Sequence, residues 1–200
     1  MVDLFSEKAK DWDQDDFKTR LSRGIGAAML SHVNFGADMA VMDFGAGTGL
    51  ISGHVAPKVA HIVAVDVSPA MLDRLTAKPE LQGKVEALCV NILETPLDRQ
   101  FDAIISAMAM HHVENTDSLI GAFAAHLKPG GQVALADLDS EDGSFHPAGT
   151  EGVYHSGFDR GEIQQLMEKH GFADVQFTTA YTVEREGGAY PVFLVTGRKQ

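Results

Sequence analysis

Basic residues and long apolar segments are scarce in this chain of 200 residues. Its 16 lysines and arginines face 28 aspartates and glutamates, which gives a formal net charge of −12. An acidic surface without a basic patch repels phosphate backbones, so we expect no nucleic-acid partner. No segment approaches the ~20 apolar residues that a membrane-spanning helix requires, so we expect no membrane partner.

Cysteine is almost absent: Cys89 is the only one, which excludes an intramolecular disulfide. It lies in an apolar run, which predicts a buried thiol in a reducing compartment. The first residues are charged and lack the apolar core of a secretory signal, so we expect a cytoplasmic protein. The length predicts a single domain over residues 1–200. Nothing in the sequence indicates an oligomeric state.

Apolar periodicity divides the chain into helices and strands. A four-residue apolar spacing over residues 17–33 predicts an amphipathic helix, and a shorter helix is expected around residues 3–13. The predicted strands are 40–44, 61–67, 85–90, 101–107, 132–138, 174–184 and 189–197, the last two joined in a hairpin by Glu186-Gly187-Gly188. The later predicted helices are 49–57, one that begins at Ser68-Pro69, 117–127, and one from about 163 that ends at Gly171.

Strands that alternate with helices predict an α/β fold, with a mostly parallel sheet covered by helices on both faces. In such sheets, ligands bind beyond the carboxyl ends of the strands. The candidate ligand site is therefore the segment that follows the first predicted strand.

Three glycines occupy alternate positions in that segment: Gly45, Gly47 and Gly49. Glycine tolerates positive φ and lets a ligand approach the main chain, and the start of the next helix offers unpaired N–H groups. Dinucleotides and S-adenosyl-L-methionine are the two ligand classes that such a loop serves. A dinucleotide loop requires a glycine at the position of Leu50, which argues against a nicotinamide cofactor.

Four segments together resemble the class I S-adenosylmethionine-dependent methyltransferases, of the small-molecule type related to quinone-biosynthesis methyltransferases. They are Asp43-Phe44-Gly45-Ala46-Gly47-Thr48-Gly49, Phe101–Ser106, Met110–Val113 and Lys128–Gly131. The resemblance covers residues 38–197 as a core, and residues 1–35 resemble the family's N-terminal lid helices. It implies a Rossmann-like seven-stranded sheet, mostly parallel, with an antiparallel C-terminal hairpin strand.

The resemblance also implies contacts between this chain and the cofactor. The glycine loop would wrap the methionine part, and Asp66 would accept hydrogen bonds from both ribose hydroxyls. Asn91-Ile92 replaces the acid and apolar residue that usually contact adenine, and asparagine keeps one acceptor oxygen there. The implied cofactor-binding residues are Asp43, Gly45, Ala46, Gly47, Gly49, Asp66, Val67, Met71, Asn91, Ile92, Ser106 and Ala107.

Structural interpretations compete with these functional ones. Asp43 could serve only to hold the glycine loop, and Asp102 is expected to face solvent or cap a turn. Met108 and Met110 fit the core as well as a substrate wall. Trp12 fits equally a residue that closes over the cofactor and one that packs a lid helix.

His111 and His112 are the candidate catalytic residues, because an imidazole can act as a general base near neutral pH. As a metal pair they are unfavourable, since adjacent side chains of extended backbone point apart. The acidic residues Asp137, Asp139, Glu141 and Asp142 are predicted to form a solvated loop, so no metal site is expected.

The acceptor pocket is expected in the segment Ser140–Gly157, which contains His146, Tyr154 and His155. Its shortness predicts a small acceptor or a partly open site. The resemblance thus implies methyl transfer from S-adenosyl-L-methionine by in-line displacement, which yields S-adenosyl-L-homocysteine. Three alternatives stay open: a protein that binds this cofactor without transferring the methyl group, an NAD(P)-dependent oxidoreductase, and a structural module with an empty pocket. The last leaves the ordered series of motifs unexplained.

Overall fold

Seven strands alternate with five helices in the computed structural model, which describes residues 3–147, 149–185 and 188–200. The strands are β1 Ala40–Phe44, β2 His61–Asp66, β3 Val85–Cys89, β4 Phe101–Ala107, β5 Leu127–Leu138, β6 Phe172–Arg185 and β7 Gly188–Lys199. The helices are α1 Asp16–His32, α2 Leu50–Val55, α3 Pro69–Thr76, α4 Thr116–His126 and α5 Arg160–Lys169. No helix among these residues is both long and apolar enough to span a membrane.

The strands form one sheet in the order β3-β2-β1-β4-β5-β7-β6. The first five strands are parallel, β7 runs antiparallel to β5, and β6 runs antiparallel to β7. Arg185 pairs with Gly188 across the last two strands, which confirms the predicted hairpin; Glu186 and Gly187 lie outside the described residues. The chain order reverses between β1 and β4, and this reversal opens a crevice at their carboxyl ends.

Helices cover both faces of the sheet, as the sequence predicts. On one face, the apolar stripe of α1 buries Ile25 and Met29 against a core shared with α2 and α3. On the other face, α4 contributes the fully buried Phe123 and α5 contributes Met167. The sheet is therefore buried through its centre, and its strand ends are held in fixed positions.

Three local predictions need correction. The short helix expected around residues 3–13 is a pair of 3₁₀ turns, Lys8–Lys10 and Trp12–Gln14, in a segment with few apolar positions to pack. The strand predicted at 132–138 begins at Leu127, which pairs with Phe101 before a register shift. Cys89 is exposed rather than buried, because it ends β3 at the edge of the sheet.

Candidate functional site

A cleft of about 800 Å³ lies over the carboxyl ends of β1, β2 and β4. Its floor is the glycine loop together with the residues that follow β2, β3 and β4. Residues of the N-terminal segment, including Phe5 and Trp12, form part of its wall. This is the crevice that the strand order predicts for a ligand.

The three loop glycines all have left-handed backbone, with φ of 66° at Gly45, 53° at Gly47 and 81° at Gly49. A Cβ at Gly45 would collide with that of Ala109, and one at Gly49 would lie 2.8 Å from Leu75 Cγ. These two glycines allow neighbouring elements to pack closely, and Gly49 is not among the described residues that line the cleft. A Cβ at Gly47 would meet no atom within 4 Å, so the space above this residue is open to a ligand.

Asp66 is anchored at the end of β2 by two main-chain donors. Its Oδ1 accepts from the Ser68 N–H at 2.8 Å, and its Oδ2 accepts from the Gly47 N–H at 2.8 Å. Burial raises the pKa of Asp66, and the hydrogen bonds from Ser68 and Gly47 oppose this effect. Each oxygen keeps a further acceptor site, so the carboxylate can bind two ligand hydroxyls. Val67 and Met71 line the cleft beside it.

Asp43 lies beneath the loop and is only 1% exposed. Its Oδ2 accepts from the Ser52 hydroxyl of α2 at 2.6 Å, so this contact holds the helix. Burial raises the pKa of Asp43 to about 7, and the negative charge of Asp66 adds to the effect. A cation bound at this end of the cleft would favour the ionised form of Asp43.

Asn91 lines the cleft beyond β3. Its Oδ1 accepts from the Leu93 N–H at 3.1 Å, and its amide donates to Glu94 at 2.9 Å. These bonds fix the orientation of the amide and leave Oδ1 one further acceptor site. The Ile92 side chain is 1% exposed and packs in the core, so a ligand can meet only its main chain.

The end of β4 presents main chain to the cleft. The Ser106 hydroxyl is buried and donates to the Phe44 carbonyl at 2.9 Å, whereas Ala107 lines the cleft. Met108 has left-handed backbone, with φ of 55°, and forms part of the wall. Met110 is fully buried and belongs to the core.

His111 and His112 lie in a 3₁₀ turn, Met110–His112, rather than in extended backbone. The prediction that their side chains point apart is therefore wrong, and the ring centroids are 4.1 Å apart. His111 is 2% exposed and is not among the described residues that line the cleft. Its Nδ1 lies 2.7 Å from Oδ1 of Asp137, a carboxylate that is 0% exposed at the end of β5.

His112 lines the cleft. Its Nδ1 lies 2.6 Å from the carbonyl oxygen of Gly152, which can only accept, so the proton is on Nδ1. Burial and the neighbouring His111 lower the pKa of His112 to about 4. The ring is therefore neutral at physiological pH, and Nε2 carries an unshared pair.

The acidic run is only partly the solvated loop that its sequence predicts: Asp137 lies within β5, whereas Asp142 is exposed in the loop that follows. Asp137 is buried, and Asp139 forms a two-point ion pair with Arg160, both N–O distances being 2.7 Å. Glu141 accepts from the Phe145 N–H, and Asp142 accepts from Ser144. Each acid thus has a partner of its own, and no cluster of three or more metal-binding side chains occurs within the described ranges.

The predicted acceptor segment reaches the cleft at Tyr154, which is 56% exposed, and at Gly152. His155 turns away and binds the Val113 carbonyl at 2.9 Å. His146 packs against His111 with ring centroids 5.1 Å apart, and neither His146 nor His155 is among the described residues that line the cleft.

Two carboxylates hold the N-terminal segment over the cleft. Asp3 accepts from the Ser68 hydroxyl at 2.9 Å. Asp13 accepts from the Thr48 hydroxyl at 2.5 Å and pairs with Lys78 at 2.8 Å. Trp12 lines the cleft and also packs edge-on against Phe5, so both predicted roles are compatible with its position.

Sequence reasoning missed three partners that build this site. Asp137 lies at the end of β5 as Asp66 lies at the end of β2, and that position was the signal available for it. Ser52 and the Gly152 carbonyl carry no local pattern, because each acts only through a contact distant along the chain.

Sequence comparisons indicate one class of protein, and structure comparisons indicate one fold. The family model described as a methyltransferase domain matches residues 17–177. An uncharacterized methyltransferase of Schizosaccharomyces pombe is 30% identical over 155 residues, which cover 69% of this chain and 55% of that protein. A ubiquinone biosynthesis O-methyltransferase of Xanthomonas oryzae is 28% identical over 152 residues, with 72% and 63% covered.

The chain therefore spans between about half and two thirds of the length of these two relatives. The fold also matches that of the N-methyltransferase NodS of Bradyrhizobium japonicum, solved with S-adenosyl-L-homocysteine. The TM-score is 0.73 at 16% identity, and 99% of each chain is covered, which establishes likeness of fold. With its family model matched over most of its length, the chain belongs to the methyltransferase-domain family.

Proposed function

We propose that this cleft binds S-adenosyl-L-methionine and that the protein transfers the methyl group to a small-molecule acceptor by in-line displacement, releasing S-adenosyl-L-homocysteine. The observation that carries the proposal is Gly47. Gly47 has left-handed backbone with open space above it, so a ligand can approach its main chain. Its N–H donates a hydrogen bond to Asp66, the carboxylate that would bind the ribose hydroxyls.

The residues of the cleft fit the parts of this cofactor. Asp66 would hold the ribose hydroxyls, Val67 and Met71 would flank the adenine, and Asn91 Oδ1 would accept from its amino group. The loop main chain at Gly47 would hold the methionine part. Four further residues would contribute to cofactor binding. Asp43 would act by its charge, Gly45 and Ala46 as parts of the loop, and Ala107 by its main-chain carbonyl. When bound, the cofactor supplies an activated methyl group.

The protein's own task is then to orient the acceptor and exclude water. Alignment of two reactants can lower a barrier by ~7–11 kcal/mol without a catalytic side chain. We propose that residues 1–35 form the lid region of one domain whose core is 38–197. His112 is the proposed general base, because its Nε2 lone pair belongs to a ring that lines the cleft.

The two other functions remain distinguishable alternatives. Leu50 occupies the place of the third glycine of a dinucleotide loop, and α2 begins at this residue. This arrangement disfavours NAD(P). A protein that binds the cofactor without transferring its methyl group would need the same cofactor-binding residues as an enzyme. Only a methyl-transfer assay distinguishes the two.

The test is a thermal shift with S-adenosyl-L-homocysteine and NAD on wild-type, Gly47→Ala and Gly130→Ala proteins. Gly130 is a matched control, because it too has left-handed backbone, φ 76°, and a Cβ added there would meet no atom within 4 Å. Both variants lose about 1–2 kcal/mol from backbone strain. We expect S-adenosyl-L-homocysteine at about 100 times its Kd to raise the melting temperature of wild type and Gly130→Ala by about 5–11 °C.

Gly47→Ala should lose most of that rise, and NAD should give none with any of the three proteins. If S-adenosyl-L-homocysteine raised the melting temperature of both glycine variants equally, the proposed cofactor-binding role of the loop would be wrong. A rise with NAD alone would favour the oxidoreductase. Labelled donor and a metabolite panel then decide between enzyme and binding protein by the presence or absence of transferred label.

A further inference from the structure

A buried acid–histidine pair lies directly behind the acceptor end of the cleft. Asp137 lies near the end of β5, and His111 lies in the 3₁₀ turn that follows the adjacent strand β4. Oδ1 of Asp137 binds His111 Nδ1 at 2.7 Å and the Leu138 N–H at 2.8 Å, while Oδ2 accepts from the His111 N–H at 3.2 Å. The carboxylate therefore fixes both the ring and the main chain of His111.

His111 in turn fixes the neighbouring segment that bears Tyr154. Its carbonyl accepts from the Tyr154 N–H at 3.0 Å, and its ring stacks beside that of His112. Gly152 of the same segment binds the His112 Nδ1 proton. The turn that contains His111 and His112 is thus hydrogen-bonded at two points to the segment that bears Tyr154.

The hydrogen bonding of His112 leaves one ring nitrogen, Nε2, free to accept a proton. The Gly152 carbonyl holds the proton on Nδ1, so the Nε2 nitrogen presents a lone pair. The titratable groups that act on the ring are His111 in its own turn, Asp137 on β5 and His146 in the segment after β5. Phe5 of the N-terminal segment packs edge-on against the ring, with centroids 5.3 Å apart.

We infer that the methyl acceptor carries a dissociable O–H or N–H proton, which passes to His112 Nε2, and that Asp137 and His111 are the positioning pair for that transfer. The inference rests on the proposed methyl transfer. It excludes thioethers and tertiary amines as the natural acceptor class, because they have no proton for His112 to remove.

The step balances with no further reactant. The acceptor O or N forms a bond to the methyl carbon as the S–CH₃ bond breaks, and the bonding pair stays on sulfur, which becomes a neutral thioether. The acceptor's O–H or N–H bond breaks, and its proton goes to His112 Nε2. The positive charge that leaves the sulfonium thus reappears on the imidazolium, which lies near the buried carboxylate of Asp137.

The test uses labelled S-adenosyl-L-methionine and four probes: para-methoxyphenol, para-nitrophenol, benzylamine and thioanisole. Variants are His112→Asn, which retains an amide donor for the Gly152 carbonyl, and Asp137→Asn. Asp139→Asn is the control, because Asp139 lies two residues further on and pairs with Arg160. Donor affinity is measured in parallel by the thermal shift with S-adenosyl-L-homocysteine.

We expect wild type to methylate the phenols or the amine but not thioanisole. With para-methoxyphenol, His112→Asn should lower kcat about 100-fold and Asp137→Asn about 10-fold, with little change in the KM of the donor. With para-nitrophenol, which is already ionised in mildly alkaline buffer, the loss in His112→Asn should largely disappear. A purely structural role would reduce both phenols alike.

Transfer to thioanisole alone, or to no probe in a protein that still gains stability from S-adenosyl-L-homocysteine, would overturn the acceptor class and leave cofactor binding intact. An equal loss in Asp137→Asn and Asp139→Asn would overturn the positioning role. Absence of any thermal response to S-adenosyl-L-homocysteine would instead contradict the proposed function itself.

Discussion

Two aspartates near the ends of neighbouring strands have different environments. Asp66 has main-chain donors on both oxygens, whereas Asp43 is almost fully buried and, among the described residues, accepts hydrogen bonds from Ser52 alone. Water would solvate an ionised carboxylate far better than Ser52 does, so burial favours the protonated acid. At the residue scale, this difference makes Asp43 the group whose charge state changes near neutral pH.

We predict that Asp43→Asn becomes more stable relative to wild type as the pH rises. Asp43 has a pKa of about 7 in the folded protein, against 3.8 as its ordinary value. The folded state therefore binds this proton more tightly, and the resulting stability is full below pH ~4 and is lost as the pH rises to ~7. Asparagine cannot ionise, so the difference should grow by about 2–3 kcal/mol between pH 5 and 7 and then level off.

Urea unfolding of the ligand-free proteins at several pH values measures this difference. Asp102→Asn is the control, since burial alone would raise the pKa of Asp102 but hydrogen bonds from Lys128 and Ala40 outweigh it and hold that pKa below its usual value. Its difference from wild type should stay constant over the same pH range. A flat profile for Asp43→Asn would show that Asp43 stays ionised.

At the scale of elements, the N-terminal segment is attached to the core by polar contacts. Asp13 joins it to Thr48 of the glycine loop and to Lys78 after α3, and Asp3 joins it to Ser68. Only Ala9 is buried in its 3₁₀ turns. Such a segment separates from the core more readily than one anchored by apolar side chains.

We predict that Asp13→Ala opens this segment and weakens binding of S-adenosyl-L-homocysteine about fivefold, for a loss of about 1 kcal/mol. Trp12 is the only tryptophan, so its emission reports the segment directly and should shift to longer wavelength in the variant. Glu7→Ala is the control, because Glu7 pairs with Lys10 of the same segment. If Asp13→Ala leaves both affinity and emission unchanged, these contacts do not hold the lid.

At the scale of the whole molecule, two cores share one sheet. Met29 belongs to the core under α1 and Phe123 to the core under α4, and each is 0% exposed. The strands between them are hydrogen-bonded into a single sheet, so neither core can be lost without exposing the other face. The physical expectation is one cooperative folding unit, in line with the proposed single domain.

We predict that Met29→Ala and Phe123→Ala each lower the free energy of unfolding, by about 2–5 and 3–5 kcal/mol. Each variant should retain a single calorimetric transition with equal calorimetric and van't Hoff enthalpies. Two transitions, each shifted by only one of the variants, would contradict the single domain.

The sequence by itself determined the features that depend on local pattern. Apolar spacing placed α1 and the strands within a few residues, and the glycine spacing with Asp66 located one side of the cleft. These signals are local because backbone conformation and the alternation of buried residues are set by near neighbours along the chain.

Only the tertiary structure decided how the turn at His111 and His112 is held and which individual polar groups are buried. The pairing of β4 with β5 brings Asp137 to His111, and the return of the chain at Gly152 fixes the tautomer of His112. Cys89 is exposed because β3 lies at the sheet edge, which no apolar run reveals. Hydrogen bonds and burial between residues far apart in sequence depend on how the strands are ordered, and that order is a property of the folded chain.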